Sequence, residues 1–277
     1  MPEPSPRPAL FAPGAHAGRR VVLAGADNAI GRAIALRLGS LGARLALGGA
    51  DAGALADCAA ALRAAGAGAP WTGPVQLAHA DEAARWVDAA WAALGGCDLL
   101  VNATARRAPA RALDMRLEDW RAVVDTNFSG AWHLVLPMAQ RWRDSAAPGT
   151  IVSVIAPFQR GMPGAANEGA AAAGVLYMTK TIAVEWAAYR IRANCVAAGV
   201  LAGSENQPWP PGDAAAIAEA NPMRRAGTLD DVADAVAFLG SDAAGFVTGD
   251  LLTVDGGGVL WGETWPVAKP DFFKVRT

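Results

Sequence analysis

From residue 20 onward the chain alternates short apolar runs with longer stretches whose apolar residues recur three and four apart. RVVLAG (20–25) is an apolar run closed by glycine and reads as a buried strand. AIGRAIALRLGSLG (29–42) has helical spacing, RLALGG (44–49) is strand-like, and ADAGALADCAAALRAAG (50–66) is helical again. The same alternation predicts further strands over 75–79, 97–103, 149–156, 191–199 and 250–257. Between them it predicts a helix over 82–95 and one or two over 115–142. Another runs from NEGAAAAGVLYMTKTIAVEWA (167–187) to about Tyr189, and a last one covers 228–241 with Thr228 as N-cap.

Strands apolar on both faces, alternating with amphipathic helices, predict a parallel sheet covered on each side. Right-handed crossovers make this a doubly wound, Rossmann-like α/β fold, the architecture of dinucleotide binding. One such domain is expected over 19–258. A proline-rich arm (1–18), expected to be disordered, precedes it, and an aromatic extension (259–277) follows it. The one long irregular segment, VLAGSENQPWPPGD (200–213), follows a strand's carboxyl end, where ligand-covering loops sit.

Composition narrows the function. The 277 residues are 53% hydrophobic and 18% charged, with a net charge of −2, so nothing favours nucleic acid or an anionic membrane. Cys58, Cys97 and Cys195 are odd in number and set in apolar runs, which predicts buried thiols in a reducing compartment. His16, His79 and His133 are scattered, and no metal site is expected. No apolar run is long enough to span a bilayer, and the N-terminus does not read as a signal peptide. A cytoplasmic protein is the expectation.

Several segments resemble the short-chain dehydrogenase/reductase (SDR) family, over roughly 19–258. NPMRRAGTLDDVADAVAFLGSDAAGFVTGDLLTVDGG (221–257) is similar to its carboxyl-terminal block, and LEDWRAVVDTNFSGAW (117–132) to its central helix. IRANCVAAG (191–199) resembles the strand and loop that usually end in Pro-Gly, with Ala198 replacing the proline. The resemblance implies that Asn127 is the asparagine of a catalytic tetrad. It also implies cofactor contacts from Gly25, Ile30, Gly31 and Asn102. Other functional positions depart from the pattern. AGADNAIG (24–31) has Ala29 in place of the glycine that lets a backbone approach a pyrophosphate. The end of the second strand carries Gly49 and Ala50 where the family places an acid for the ribose or a base for a 2′-phosphate. NATA (102–105) keeps only the first asparagine of Asn-Asn-Ala-Gly.

The family's helix after the fifth strand begins with Tyr-x-x-x-Lys, a spacing that puts both side chains on one face. The ungapped text AGVLYMTKTIAVEWA places Glu168 at the tyrosine position and Ala172 at the lysine position, and GTIVSVIA (149–156) places Ala156 at the serine position. Tyr177 and Lys180 lie too far along the helix to substitute, and Ser153 is an odd offset from Ala156, so it faces the other side of its strand. Glu168 is then either a proton carrier with a raised pKa or a solvated first-turn glutamate that complements the helix dipole.

These departures lead to the expectation of a non-catalytic SDR-fold subunit, a pseudoenzyme with no cofactor. It would assemble with a homologous active subunit as a heterodimer or heterotetramer. The alternative is an atypical NAD- or NADP-dependent oxidoreductase in which Glu168 or water carries the proton.

Overall fold

The computed structural model describes residues 11–203 and 221–261. Seven strands, β1 (Arg20–Ala24), β2 (Arg44–Gly49), β3 (Trp71–Pro74), β4 (Leu99–Asn102), β5 (Gly149–Ile155), β6 (Ile191–Ala198) and β7 (Leu251–Val254), form one sheet. Their order is β3-β2-β1-β4-β5-β6-β7, and every pairing is parallel. The expected doubly wound α/β fold is present, and strand order reverses between β1 and β4, the switch point at which such sheets bind ligands.

Alternation along the strands explains the two layers. Val21 and Leu23 of β1 face α1 (Ala29–Ser40), α2 (Ala52–Ala64) and the last helix, Leu229–Gly240. Val22 and Ala24 face α3 (Ala80–Leu94), α5 (Gly130–Asp144) and α6 (Ala166–Glu185). All four side chains are fully buried, so β1 gains apolar burial on both faces. The stretch expected to hold one or two helices contains α4 (Leu117–Val124) and α5, joined by a π-helical turn over Asp125–Ser129. Such turns are rare inside helices and cluster at functional sites. Numbering along the chain makes Leu229–Gly240 α7, and Thr228 caps it as expected, with Asp231 completing a capping box.

Three expectations need correcting. The third strand lies at Trp71–Pro74, not at 75–79. It is a sheet edge, where glycine and proline are tolerated, so the text AGAPWTGP disguises it as a loop. In QLAHADEAA (76–84) the sequence reads Asp81 as the cap of the next helix, but it stands in the first turn and His79 occupies the cap position. Residues 11–18 of the expected disordered arm are folded. Phe11 packs on the α1/α2/α7 layer, and His16 is fully buried with Nε2 against the Ala237 carbonyl oxygen. Residues 1–10, most of the 200–213 segment and the tail from 262 lie outside the described residues.

Gly25 and Gly31 owe their identity first to packing. Gly25 has φ +89°, and a Cβ there would lie 2.5 Å from the Ala103 carbonyl carbon. A Cβ on Gly31 would lie 1.9 Å from the Gly25 carbonyl oxygen. All three cysteines are free and buried, as expected, and burial pushes the Cys97 thiol up to about 12 and the Cys195 thiol up to about 11. Among the described residues no helix is long and apolar enough to cross a membrane, and no cluster of side chains suits a metal ion.

Candidate active site

The carboxyl ends of β4, β5 and β6 open into a cavity of about 290 Å³ beside the β1–β4 switch point. Ile30, Val154, Ile155, Met162 and Val175 give it apolar walls. Asn102, Thr104, Arg106, Arg107, Asn127 and Glu168 bring polar groups to it, and Ala156 and Ala172 line it too. The positions singled out in the sequence as catalytic therefore do converge. Ile30 and Asn102 reach the cavity, whereas Gly25 and Gly31 do not line it. Tyr177 is largely exposed, with the Lys180 ammonium 5.4 Å from its ring centre, and neither lines the cavity. Ser153 is buried in the sheet away from it.

Glu168 is not a solvated first-turn residue. It is 7% exposed, and its Oε2 accepts a hydrogen bond from Arg107 Nε at 3.1 Å. Its Oε1 is buried with no hydrogen-bond partner. An unmet buried acceptor costs about 1–3 kcal/mol. Burial pushes the Glu168 carboxyl above its ordinary value. The Arg107 charge, its hydrogen bond and the nearby Ala108 N–H pull it back only in part.

Arg107 had no signal in the sequence, because its role depends on a loop held from two sides. Asn127, in the π-helical turn, accepts from the Arg106 N–H at 2.8 Å and donates from Nδ2 to the Arg106 carbonyl at 2.9 Å. Asn167, fully buried at the start of α6, donates to the Ala108 carbonyl at 3.2 Å, and its Oδ1 accepts from the Glu168 N–H at 2.9 Å. Ala110 N–H donates to the Gly164 carbonyl at 2.9 Å. Arg107 thus sits between two clamped neighbours, above the carboxylate it pairs with. The Asn127 amide acts here as a positioning group for that loop.

The first turn brings a helix N-terminus to the cleft. Asn28 caps α1, accepting from Gly31 N–H at 2.9 Å, and donates to the Ala103 carbonyl at 2.8 Å, which joins the turn to β4. The helix N-terminus offers partial positive charge to a pyrophosphate, and Ile30 carries the same surface into the cavity. Ala29 adds a half-buried methyl group at the rim without closing the cleft. The residues present therefore fit a nicotinamide dinucleotide, which the N-terminus of α1 and the cavity residues Ile30 and Asn102 would hold.

Fold and cleft together define a protein of the doubly wound dinucleotide-binding class. A family model described as enoyl-(acyl carrier protein) reductase matches residues 24–258. Glucose 1-dehydrogenase of Gluconobacter oxydans (strain 621H) is 31% identical over 254 residues, 89% of this chain and 94% of that protein. Cis-4-hydroxycyclohexanecarboxylate dehydrogenase of Sinomonas cyclohexanicum is 37% identical over 247 residues, 88% of this chain and 97% of that protein. The crystal structure of a short-chain type dehydrogenase/reductase from Mycobacterium marinum has a TM-score of 0.79 at 26% identity, covering 87% of this chain and 95% of that one. The chain belongs to the short-chain dehydrogenase/reductase family.

The expectation of a non-catalytic subunit is corrected by these relatives, which are named as dehydrogenases matched over nearly their whole length. The physical reason for the misreading is local. Losing tyrosine and lysine reads as erasure in a linear text, yet in space a buried carboxylate and an arginine from another loop stand there.

Replacing Arg107 with Gln removes the main opposition to desolvation, so the Glu168 midpoint should move to higher pH. Infrared difference titration, with the Glu168→Gln protein as the blank, measures it. An unmoved midpoint would mean that the ion pair does not set the carboxyl's charge.

Proposed function

We propose that the chain is an NAD(P)-dependent oxidoreductase that interconverts an alcohol and a carbonyl compound, with Glu168 carrying the proton. The observation that carries this reading is the buried Glu168 in the cavity wall, with one oxygen paired to Arg107 and the other unpartnered. When bound, the nicotinamide ring supplies the acceptor or donor of the hydride. In the oxidising direction the Glu168 carboxylate takes the hydroxyl proton as the carbinol hydrogen leaves with its electron pair. One O–H and one C–H bond break, the C=O bond forms, and the dinucleotide is reduced. In the reverse direction the protonated carboxyl gives its proton to the oxygen of the new alcohol.

A carboxyl raised by burial suits this exchange near neutral pH better than an ordinary solvated glutamate. The Arg107 guanidinium holds Oε2, which leaves Oε1 for the substrate. The apolar walls keep water from the developing charge and suit a compact carbon frame. A relative named for cis-4-hydroxycyclohexanecarboxylate supports a ring-borne secondary alcohol as the substrate class.

Glu168→Gln should lower kcat for alcohol oxidation by about 10²–10⁴-fold with little change in dinucleotide affinity. In the wild type this rate should rise with pH through a midpoint above the ordinary carboxylate range, because the base form is required. The variant should lose that limb. A variant with wild-type kcat would assign the proton to water instead.

We also infer assembly with a second chain of the same fold. Trp120, Trp132, Tyr177 and Val184 expose apolar surface on α4, α5 and α6, where aromatic anchors contribute most to association. Native mass spectrometry of the chain taken from its own cells should give a dimer or tetramer of short-chain dehydrogenase chains. A monomer would contradict the inference.

A further inference from the structure

We infer that Asp27, in the turn between β1 and α1, selects NAD over NADP by taking the place of the acid missing from the end of β2. This rests on reading the cleft as a dinucleotide site. In doubly wound folds the residue some twenty positions after the glycine-rich turn decides between a free ribose and a 2′-phosphate. Here that residue is Gly49, which has no side chain to offer.

The space is not left open. A Cβ built on Gly49 would fall 2.3 Å from Asp27 Cγ and 2.4 Å and 2.6 Å from its two oxygens. The carboxylate of the first turn therefore occupies the volume that a β2 side chain would fill. It is also anchored there. Its Oδ2 accepts from the Ala50 N–H at 2.7 Å and from the Asp51 N–H at 3.1 Å, across the gap between two strands. No described protein group donates to Oδ1, so that oxygen is available to a ribose hydroxyl.

The local charge points the same way. Asp51 stands beside this site as the cap of α2, its Oδ1 spent on the Gly53 and Ala54 N–H groups at 2.8 Å and 3.0 Å. Among the described residues neither Asp27 nor Asp51 forms an ion pair, so neither carboxylate is neutralised by a basic side chain. A ribose diol finds an acceptor; a 2′-phosphate finds two carboxylates, a like-charge meeting that strongly disfavours binding.

The test is isothermal titration of the full-length protein with NAD and, separately, with NADP. The wild type should bind NAD at least about 100-fold more tightly than NADP. Asp27→Asn keeps an acceptor for the Ala50 N–H but removes the charge, and should cut that ratio by about tenfold or more. Gly49→Ala leaves every charge in place and pushes the carboxylate aside, and should lower the ratio in the same direction. Equal affinity for the two nucleotides in the wild type, or a ratio that neither variant changes, would overturn the inference alone. Binding of neither nucleotide would overturn the dinucleotide reading and the inference with it.

Discussion

A carboxylate taken out of water must find a cation, a set of donors or a proton, and Glu168 is only partly provided for. Arg107 meets one of its oxygens and leaves the other buried without a hydrogen bond, on a residue that lines the cavity. Much of the surrounding structure follows from keeping that incomplete pair in place. The loop from β4 toward α4 would have no reason to hold an arginine over the first turn of α6 unless it were tied there. Asn127 ties it on one side and Asn167 on the other. The π-helical turn that carries Asn127 interrupts an otherwise regular helix, a local irregularity that brings the amide to the loop backbone.

The sheet supplies the rest. In a doubly wound sheet ligands bind outside the carboxyl ends of the strands, and there β4, β5 and β6 meet around the cavity. Gly31 lets α1 lie directly on the β1 turn, and Gly25 lets that turn lie on β4. The same two contacts bring the N-terminus of α1 to the cleft, so packing and binding ask for the same glycines. Bare backbone at Gly49 has the opposite effect: it admits a side chain from elsewhere, Asp27, and that side chain changes the chemistry of the strand's end.

The strands and helices were legible because their apolar spacing is local. β3 was the exception, since an edge strand pairs on one side only and tolerates the glycine and proline that mimic a loop. The place of His16 was hidden for the reverse reason: a proline-rich text gives no sign that its imidazole slots against α7. In the site, Glu168, Ala156, Ala172, Asn127, Ile30 and Asn102 were found by register and do gather in the cavity. Arg107 and Asp27 were not, because each matters through a contact with a residue far along the chain, Glu168 for one and the Gly49–Asp51 turn for the other. A linear reading sees which side chains have gone from their usual positions. It does not see which others have moved into the space.

The central claim is that the unpartnered oxygen of Glu168 meets the substrate. A crystal structure of the protein with NAD and an unreactive alcohol analogue in the cavity tests it directly. The account predicts the analogue's hydroxyl within roughly 2.6–3.2 Å of Glu168 Oε1, with Arg107 still on Oε2. A hydroxyl bound instead to Arg107, Thr104 or a water chain, with Glu168 remote from it, would contradict the claim.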